Sequence, residues 1–354
     1  MASAPPKGRG SQGNPAPRYE ELRREPWDDG WPSEEDGPAA PATEFVVDAA
    51  KSVITRNDSP DVPFSQSVNP YRGCEHGCAY CYARPSHAYL GLSPGLDFET
   101  RIAYKPDAAA RLKEELARRG YTCQPIALGT NTDAYQPAER RLGITRSLLE
   151  VLARCRHPVS LVTKSALVER DLDILADMAR SRLVHVLFSV TTLDGELARR
   201  LEPRAAAPWR RLAAMRRLHE AGVPVGVLFA PLIPALNDHE LERVLAASRD
   251  AGAQVAGYML LRLPHELKEL FEAWLRAHYP ERADHVLSLI RQLRGGTLND
   301  TRFGQRMRGS GVYADLIAQR FRSAVKRLGY PQQFPDLDCS RFTPPGAVAQ
   351  MDLF

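Results

Sequence analysis

The chain has 354 residues, 44% of them apolar and 25% charged, and a formal net charge of +4. This is the ordinary balance of a globular protein able to bury a full core, and the charge is too mild to name a partner. The longest apolar run, Val223 to Leu236, is short and carries Pro224, Pro231 and Pro234, so it does not span a membrane.

The charge is unevenly spread. Residues 1–50 hold ten acidic and five basic side chains, whereas residues 291–327 hold nine basic and two acidic ones. The second stretch reads either as solvated helix faces or as a region for holding a polyanion. Residues 1–43 are rich in Pro, Gly, Ser and charge and are predicted to be disordered or loosely draped, with Trp27 and Trp31 free to dock. The N-terminus has no apolar signal segment, which predicts a cytoplasmic protein without disulfides.

From about residue 62, short β-branched runs alternate with amphipathic patterns. Ser65–Asn69, Pro125–Leu128, Val159–Thr163, Leu183–Val190, Val223–Ala230 and Gln254–Leu261 read as buried strands. Between them, helices are predicted from the N-cap Asp107 to Gly120, and over Thr145–Arg156, Leu167–Arg180, Trp209–Ala221 and Asp238–Ala251. Such alternation implies a parallel sheet with right-handed crossovers. Six units make an α/β fold of the incomplete (β/α)6 barrel type, with its chemistry at the C-terminal ends of the strands. The expected division is a tail over 1–43, a core with its lead-in over 44–265, and a helical C-terminal extension over 266–354 that caps the opening.

Three of the six cysteines fall within eight residues, in Asn69-Pro-Tyr-Arg-Gly73-Cys74-Glu-His-Gly77-Cys78-Ala-Tyr80-Cys81. Three thiolates at this spacing, with Gly73 and Gly77 to allow tight turns, can surround one cubane. A [4Fe–4S] cluster normally takes four cysteines, so three leave one iron open to a small molecule. A zinc site completed by His76 or His87 is the competing reading. It lacks the second cysteine pair that structural zinc uses.

A Cys-x3-Cys-x-aromatic-Cys loop following the first strand of an α/β barrel resembles the radical SAM superfamily. The resemblance implies that Cys74, Cys78 and Cys81 bind three irons and that S-adenosylmethionine (SAM) chelates the fourth. Tyr80 would then pack near its adenine. Gly129-Thr-Asn-Thr-Asp133, Thr163-Lys-Ser165, Ser189-Val-Thr191, Glu202 with Arg211, and Ala230-Pro231 are similar to the branch around spore photoproduct lyase, over roughly residues 66–265. Ser59–Phe64, Asn69–Tyr82, Ala83–His87 and Gly95–Glu99 look like an uncharacterised bacterial subgroup of that branch.

SAM presents an amine, a carboxylate, ribose hydroxyls and a sulfonium, so its site needs acceptors, a cation and polar groups. Thr130, Thr132 and Asp133 supply acceptors where the superfamily holds the amine; Lys164 supplies a cation for the carboxylate. Ser189 and Thr191 are in place for ribose or carboxylate. Against these stand plainer roles: Asp133 as a turn cap, Lys164 as a solvated lysine, Glu202 and Arg211 as a pair ordering loops. Arg84, His87, Asp97 and Glu99 either face the substrate or brace the cluster loop. Cys155 reads as a packed small hydrophobe, and Cys123 and Cys339 remain unassigned.

The resemblance implies an enzyme that takes one electron from an external flavodoxin- or ferredoxin-like reductant and opens SAM to methionine and a 5′-deoxyadenosyl radical. The substrate is left open. Nucleic acid held by the 291–327 region is one alternative, and a non-catalytic iron–sulfur sensor is another. The related lyase has a cysteine at the end of its second strand, directly before a Thr-Ser-Asp run; the matching stretch here, Gly129 to Asp133, holds no thiol.

Overall fold

The β-branched runs pair in the order that the alternation demands. The computed structural model describes residues 6–19, 42–331 and 333–346. The strands are β1 (Glu44–Val47), β2 (Ile54–Arg56), β3 (Gln66–Val68), β4 (Tyr71–Arg72), β5 (Arg101–Tyr104), β6 (Ile126–Leu128), β7 (Val159–Thr163), β8 (Val184–Ser189), β9 (Val225–Leu232) and β10 (Val255–Leu260). The main sheet runs β10-β9-β8-β7-β6-β3-β2, with β3 and β6 to β10 parallel and β2 antiparallel at the edge. All six predicted strands are present and form the incomplete parallel barrel. A second sheet, β1-β5-β4, lies in the segment flanking the cysteine loop.

The helices are α1 (Asp97–Thr100), α2 (Ala108–Leu116), α3 (Glu139–Leu142), α4 (Ile144–Arg154), α5 (Leu172–Arg180), α6 (Gly195–Leu201), α7 (Pro208–Glu220), α8 (Leu241–Asp250), α9 (Leu267–His278), α10 (Pro280–Leu293) and α11 (Val312–Arg327). Apolar residues recur at helical spacing in α4, where Ile144, Leu148, Leu149, Val151 and Leu152 are buried. Helix α2 follows Asp107 as expected but stops at Leu116, short of Gly120. Residues 117 to 120 are exposed, so no burial pays for another turn. The helix predicted from Leu167 divides into a 3-10 turn, Ala166–Asp171, and α5. At the division the buried Asp171 turns inward to accept bonds from Tyr135, Arg146 and Arg170.

The opening between β10 and the β2–β3 edge is bridged by the loop after α10. Gly304 N donates to Asp61 Oδ1 at 2.7 Å, Arg306 pairs with Asp61, and Leu260 N donates to Met307 O at 3.0 Å. Helices α9 and α10 do more than cap. Phe271, Trp274, Leu287 and Ile290 build a second core together with Cys78, Ala79 and Tyr80 of the cysteine loop. Among the described residues no helix is long and apolar enough to cross a membrane.

One expectation changes. Residues 6–19, read as disordered or loosely draped, are packed on the barrel: Gly10 N and Ser11 N donate to Glu99, and Arg18 pairs with Glu266 at 2.8 Å. A short polar segment can dock without apolar residues when its backbone amides find a buried carboxylate. Trp27 and Trp31 lie outside the described residues.

Candidate active site

The cysteine loop follows β3 and β4 at the C-terminal end of the barrel and is buried from Gly73 to Tyr80. Gly73 and Gly77 have φ of 81° and 67°, the left-handed region in which glycine costs least. The loop is pinned from several sides. Cys74 N donates to Phe98 O at 2.8 Å, Glu75 N to Gln136 Oε1 at 2.9 Å, and Ala79 N to Leu201 O at 2.9 Å. Arg84 Nε donates to Cys78 O at 2.9 Å, and its guanidinium pairs with the equally buried Glu99. His87 Nε2 lies 3.0 Å from Arg101 O. Arg84, His87 and Glu99 are therefore braces beneath the loop, and Asp97 accepts from Ser93 N and Asn14.

The three thiols stand within electrostatic reach of one another. Burial holds Cys74 well above the ordinary thiol range, and Asp133, Cys78 and Cys81 add to the effect. Burial likewise pushes the Cys78 thiol up to about 12, with Lys164 pulling the other way. Neutral thiols in so dry a place are costly to ionise unless metal takes the proton's place. The donor set suits a cubane held at three corners. It does not suit zinc: the His76 ring faces Asp133 at 3.4 Å, and His87 is engaged with Arg101. Among the described residues no three His, Cys, Asp or Glu side chains converge tightly enough for a single ion.

The predicted strand-end residues gather around this loop, but their polar groups are not equally free. Asp133 accepts from Tyr135 N at 2.9 Å, Thr163 Oγ1 at 2.8 Å and Lys164 N at 2.7 Å, beside His76. Burial opposes its charge, yet His76 and Lys164 hold its pKa far below the usual carboxylate range. Those oxygens are saturated, so Asp133 is a strut that sets Lys164 rather than an open acceptor. Thr132 Oγ1 donates to Tyr71 O at 3.0 Å and is likewise buried. Thr130 takes a bond from the Tyr82 hydroxyl on its carbonyl, and its side chain stays partly exposed.

Lys164 is the open cation. Among the described residues its ammonium makes no hydrogen bond or ion pair, and it lies 5.8 Å over the Tyr80 ring. Burial works against its charge, but Cys78, Glu202, Asp133 and Cys81 outweigh that and keep it protonated above the usual lysine range. Ser189 Oγ donates to Ala230 O at 2.9 Å, and Thr191 Oγ1 to Glu202 Oε1 at 2.7 Å. Each hydroxyl oxygen still has lone pairs with which to accept.

Glu202 and Arg211 form a buried pair, and the Tyr80 hydroxyl also bonds Glu202. Arg211 Nη1 reaches Ser189 O at 2.8 Å, so the pair locks the ends of β8 and the cysteine loop together. Sequence reasoning missed Tyr82 and Arg262. The Arg262 guanidinium lies 5.7 Å over the Tyr82 ring, which is 45% exposed at the mouth. The adjacency of Tyr82 to Cys81 was the available signal. Of the basic residues in 291–327, Arg294, Arg302, Arg306 and Arg320 are spent on carbonyls or acids of the chain itself.

Residues 68–247 match the family model "Radical SAM superfamily". An uncharacterised protein of Mycobacterium tuberculosis (strain ATCC 25618 / H37Rv) is 38% identical over 233 residues, 65% of this chain and 68% of that protein. An uncharacterised protein of Methanocaldococcus jannaschii is 25% identical over 239 residues, covering 67% and 85% respectively. Spore photoproduct lyase complexed with dinucleoside spore photoproduct shares the fold at a TM-score of 0.56 and 19% identity, over 80% of this chain and 79% of that one. A lyase variant with bound AdoMet and the same dinucleoside gives 0.57 at 19% identity, over 82% of both chains. The family match covers half the chain, and it falls on the buried cysteine loop and the strand ends around it: this chain belongs to the radical SAM superfamily.

Proposed function

We propose that this chain reductively cleaves S-adenosylmethionine at a [4Fe–4S] cluster held by Cys74, Cys78 and Cys81, and abstracts hydrogen from a substrate at the barrel mouth. The observation that carries the reading is two buried thiols, Cys74 and Cys78, with the half-buried Cys81 in electrostatic reach of both, beside Lys164, a cation with no hydrogen-bonded acid of its own. When bound, the cluster and SAM supply one-electron cleavage of the S–C5′ bond to methionine and a 5′-deoxyadenosyl radical, the electron coming from a flavodoxin- or ferredoxin-like donor.

The chain's own residues bind, orient and exclude water. Lys164 holds the SAM carboxylate by a charge-assisted bond. Thr130, Ser189 and Thr191 accept from amine and ribose hydroxyls, and Tyr80 walls the adenine side. Asp133 fixes the Lys164 backbone, Thr132 ties the strand end to Tyr71, and the Glu202–Arg211 pair fixes Tyr80 and Ser189. The second core shuts water out behind Cys78 and Tyr80.

Anaerobic reconstitution with iron and sulfide, followed by dithionite and SAM, tests this. The wild type is expected to release 5′-deoxyadenosine, and Cys78→Ala to release none. An iron–sulfide-loaded wild type that forms no 5′-deoxyadenosine would leave the sensor reading in its place. Nucleic acid as substrate is the weaker reading, since four cations of 291–327 are already committed within the chain.

A further inference from the structure

The segment before the barrel lies directly on the cysteine loop. Gly10 approaches Gly77 so closely that a Cβ on it would sit 1.8 Å from Gly77 O. Gly10 N and Ser11 N donate to the two oxygens of Glu99 at 3.0 and 2.9 Å. Arg9 Nη1 donates to Glu99 O at 2.9 Å, and Arg9 Nη2 reaches Thr43, which in turn donates to Glu75 inside the loop. Glu99 is paired with Arg84, and Arg84 bonds Cys78 O, so one unbroken chain of contacts runs from Ser11 to a cluster-binding cysteine. Beyond it, Leu96 N donates to Gly13 O at 3.1 Å, Ser93 Oγ to Pro15 O at 2.6 Å, and Gln12 Nε2 to Ala273 O at 3.3 Å.

We infer that residues 8–15 are a strap that belongs to the cluster site: they position the cysteine loop through Glu99 and Arg84 and keep water and dioxygen from it. The inference rests on the cluster reading above. Its physical basis is the buried Glu99 carboxylate, which takes two of its donors from strap amides. Without the strap those oxygens and Gly77 O turn to water, and water then stands against the loop backbone. A cluster held by three thiolates gains negative charge on reduction, and water stabilises the more charged state. Loss of the strap therefore raises the reduction potential and opens a path for oxidants.

Three proteins test this alongside the wild type: a truncation lacking residues 1–15, Gly10→Ala, and, away from the strap, Gly195→Ala, whose added Cβ meets nothing within 4 Å. The readouts are the rate of bleaching of the reconstituted chromophore in air, the reduction potential, and hydrogen–deuterium exchange of residues 73–81 in the apo-protein. The truncation and Gly10→Ala should bleach several-fold faster, shift to a more positive potential and exchange faster. Gly195→Ala should match the wild type. Wild-type bleaching, potential and exchange in both the truncation and Gly10→Ala would overturn the strap while leaving the cluster reading intact. A wild type that takes up no iron and sulfide would overturn both.

Discussion

Replacing Lys164 by alanine separates cofactor recognition from fold. The Lys164 ammonium has no hydrogen-bond or ion-pair partner among the described residues, and it lies 5.8 Å over the Tyr80 ring. Its backbone, by contrast, is fixed by the 2.7 Å bond from its N–H to Asp133, which the substitution keeps. In the apo-protein the cost of burying the ammonium is offset by Cys78, Glu202, Asp133 and Cys81, so removing the side chain leaves two buried acids less compensated. In the complex it gives a charge-assisted bond of about 1.5–3 kcal/mol to the SAM carboxylate, which is a loss of about ten- to 150-fold in affinity on removal. Equilibrium binding of SAM to the anaerobically reconstituted variant measures this, with iron content and melting temperature as controls. Expected are an unchanged cluster content, a modestly lowered melting temperature and the weakened Kd. A wild-type Kd would take Lys164 out of the site; a lost cluster would show that its charge holds the thiolates instead.

Two further outcomes follow from buried groups. Burial holds His157 down to about 4 against its usual 6.5, the Pro158 carbonyl only partly opposing it. Between those values the unfolded chain takes up a proton that the folded chain refuses, so stability is full above about pH 6.5 and falls on acidification. The loss is about 2 kcal/mol between pH 7 and pH 5. Apo-protein melting at the two pH values should show it, and His157→Gln should shrink the difference; an equal difference in the variant would refute the assignment.

The chain should also fail to turn over a dinucleoside spore photoproduct. The stretch that follows β6, Gly129 to Asp133, holds no thiol, and a Cβ on Gly129 would sit 2.2 Å from Val162 O. Cys123 and Cys155 precede β6 and β7, at the opposite end of the barrel from the site, and Cys339 lies beside Cys123. Thymine recovery at a true lyase's rate would contradict this placement.

The core strands were legible because they are short, largely apolar segments rich in valine and bounded by polar or turn-forming residues, as β7, β8 and β9 are. The cysteine loop was legible because its chemistry lies in local spacing. The two-residue β4 and the three-residue β2 escaped notice, being too short to carry a period. Asp133 and Lys164 were found as strand-end residues, but which polar atoms stayed free was not readable. That depends on partners such as Thr163 and Tyr135 that only the fold brings near. The strap was missed for a similar reason. Gly8-Arg-Gly10 has no apolar residue to bury, and its docking rests on backbone amides and on Glu99, 89 residues away from Gly10.

The central claim is that three cysteines hold a cluster with one iron open to SAM. Electron paramagnetic resonance of the dithionite-reduced, reconstituted protein, with and without SAM, tests it most directly. The account predicts the signal of a reduced [4Fe–4S] cluster whose g-values change when SAM is added, and no such signal in Cys74→Ala, Cys78→Ala or Cys81→Ala. A protein that binds zinc without sulfide, or a cluster signal indifferent to SAM, would contradict it.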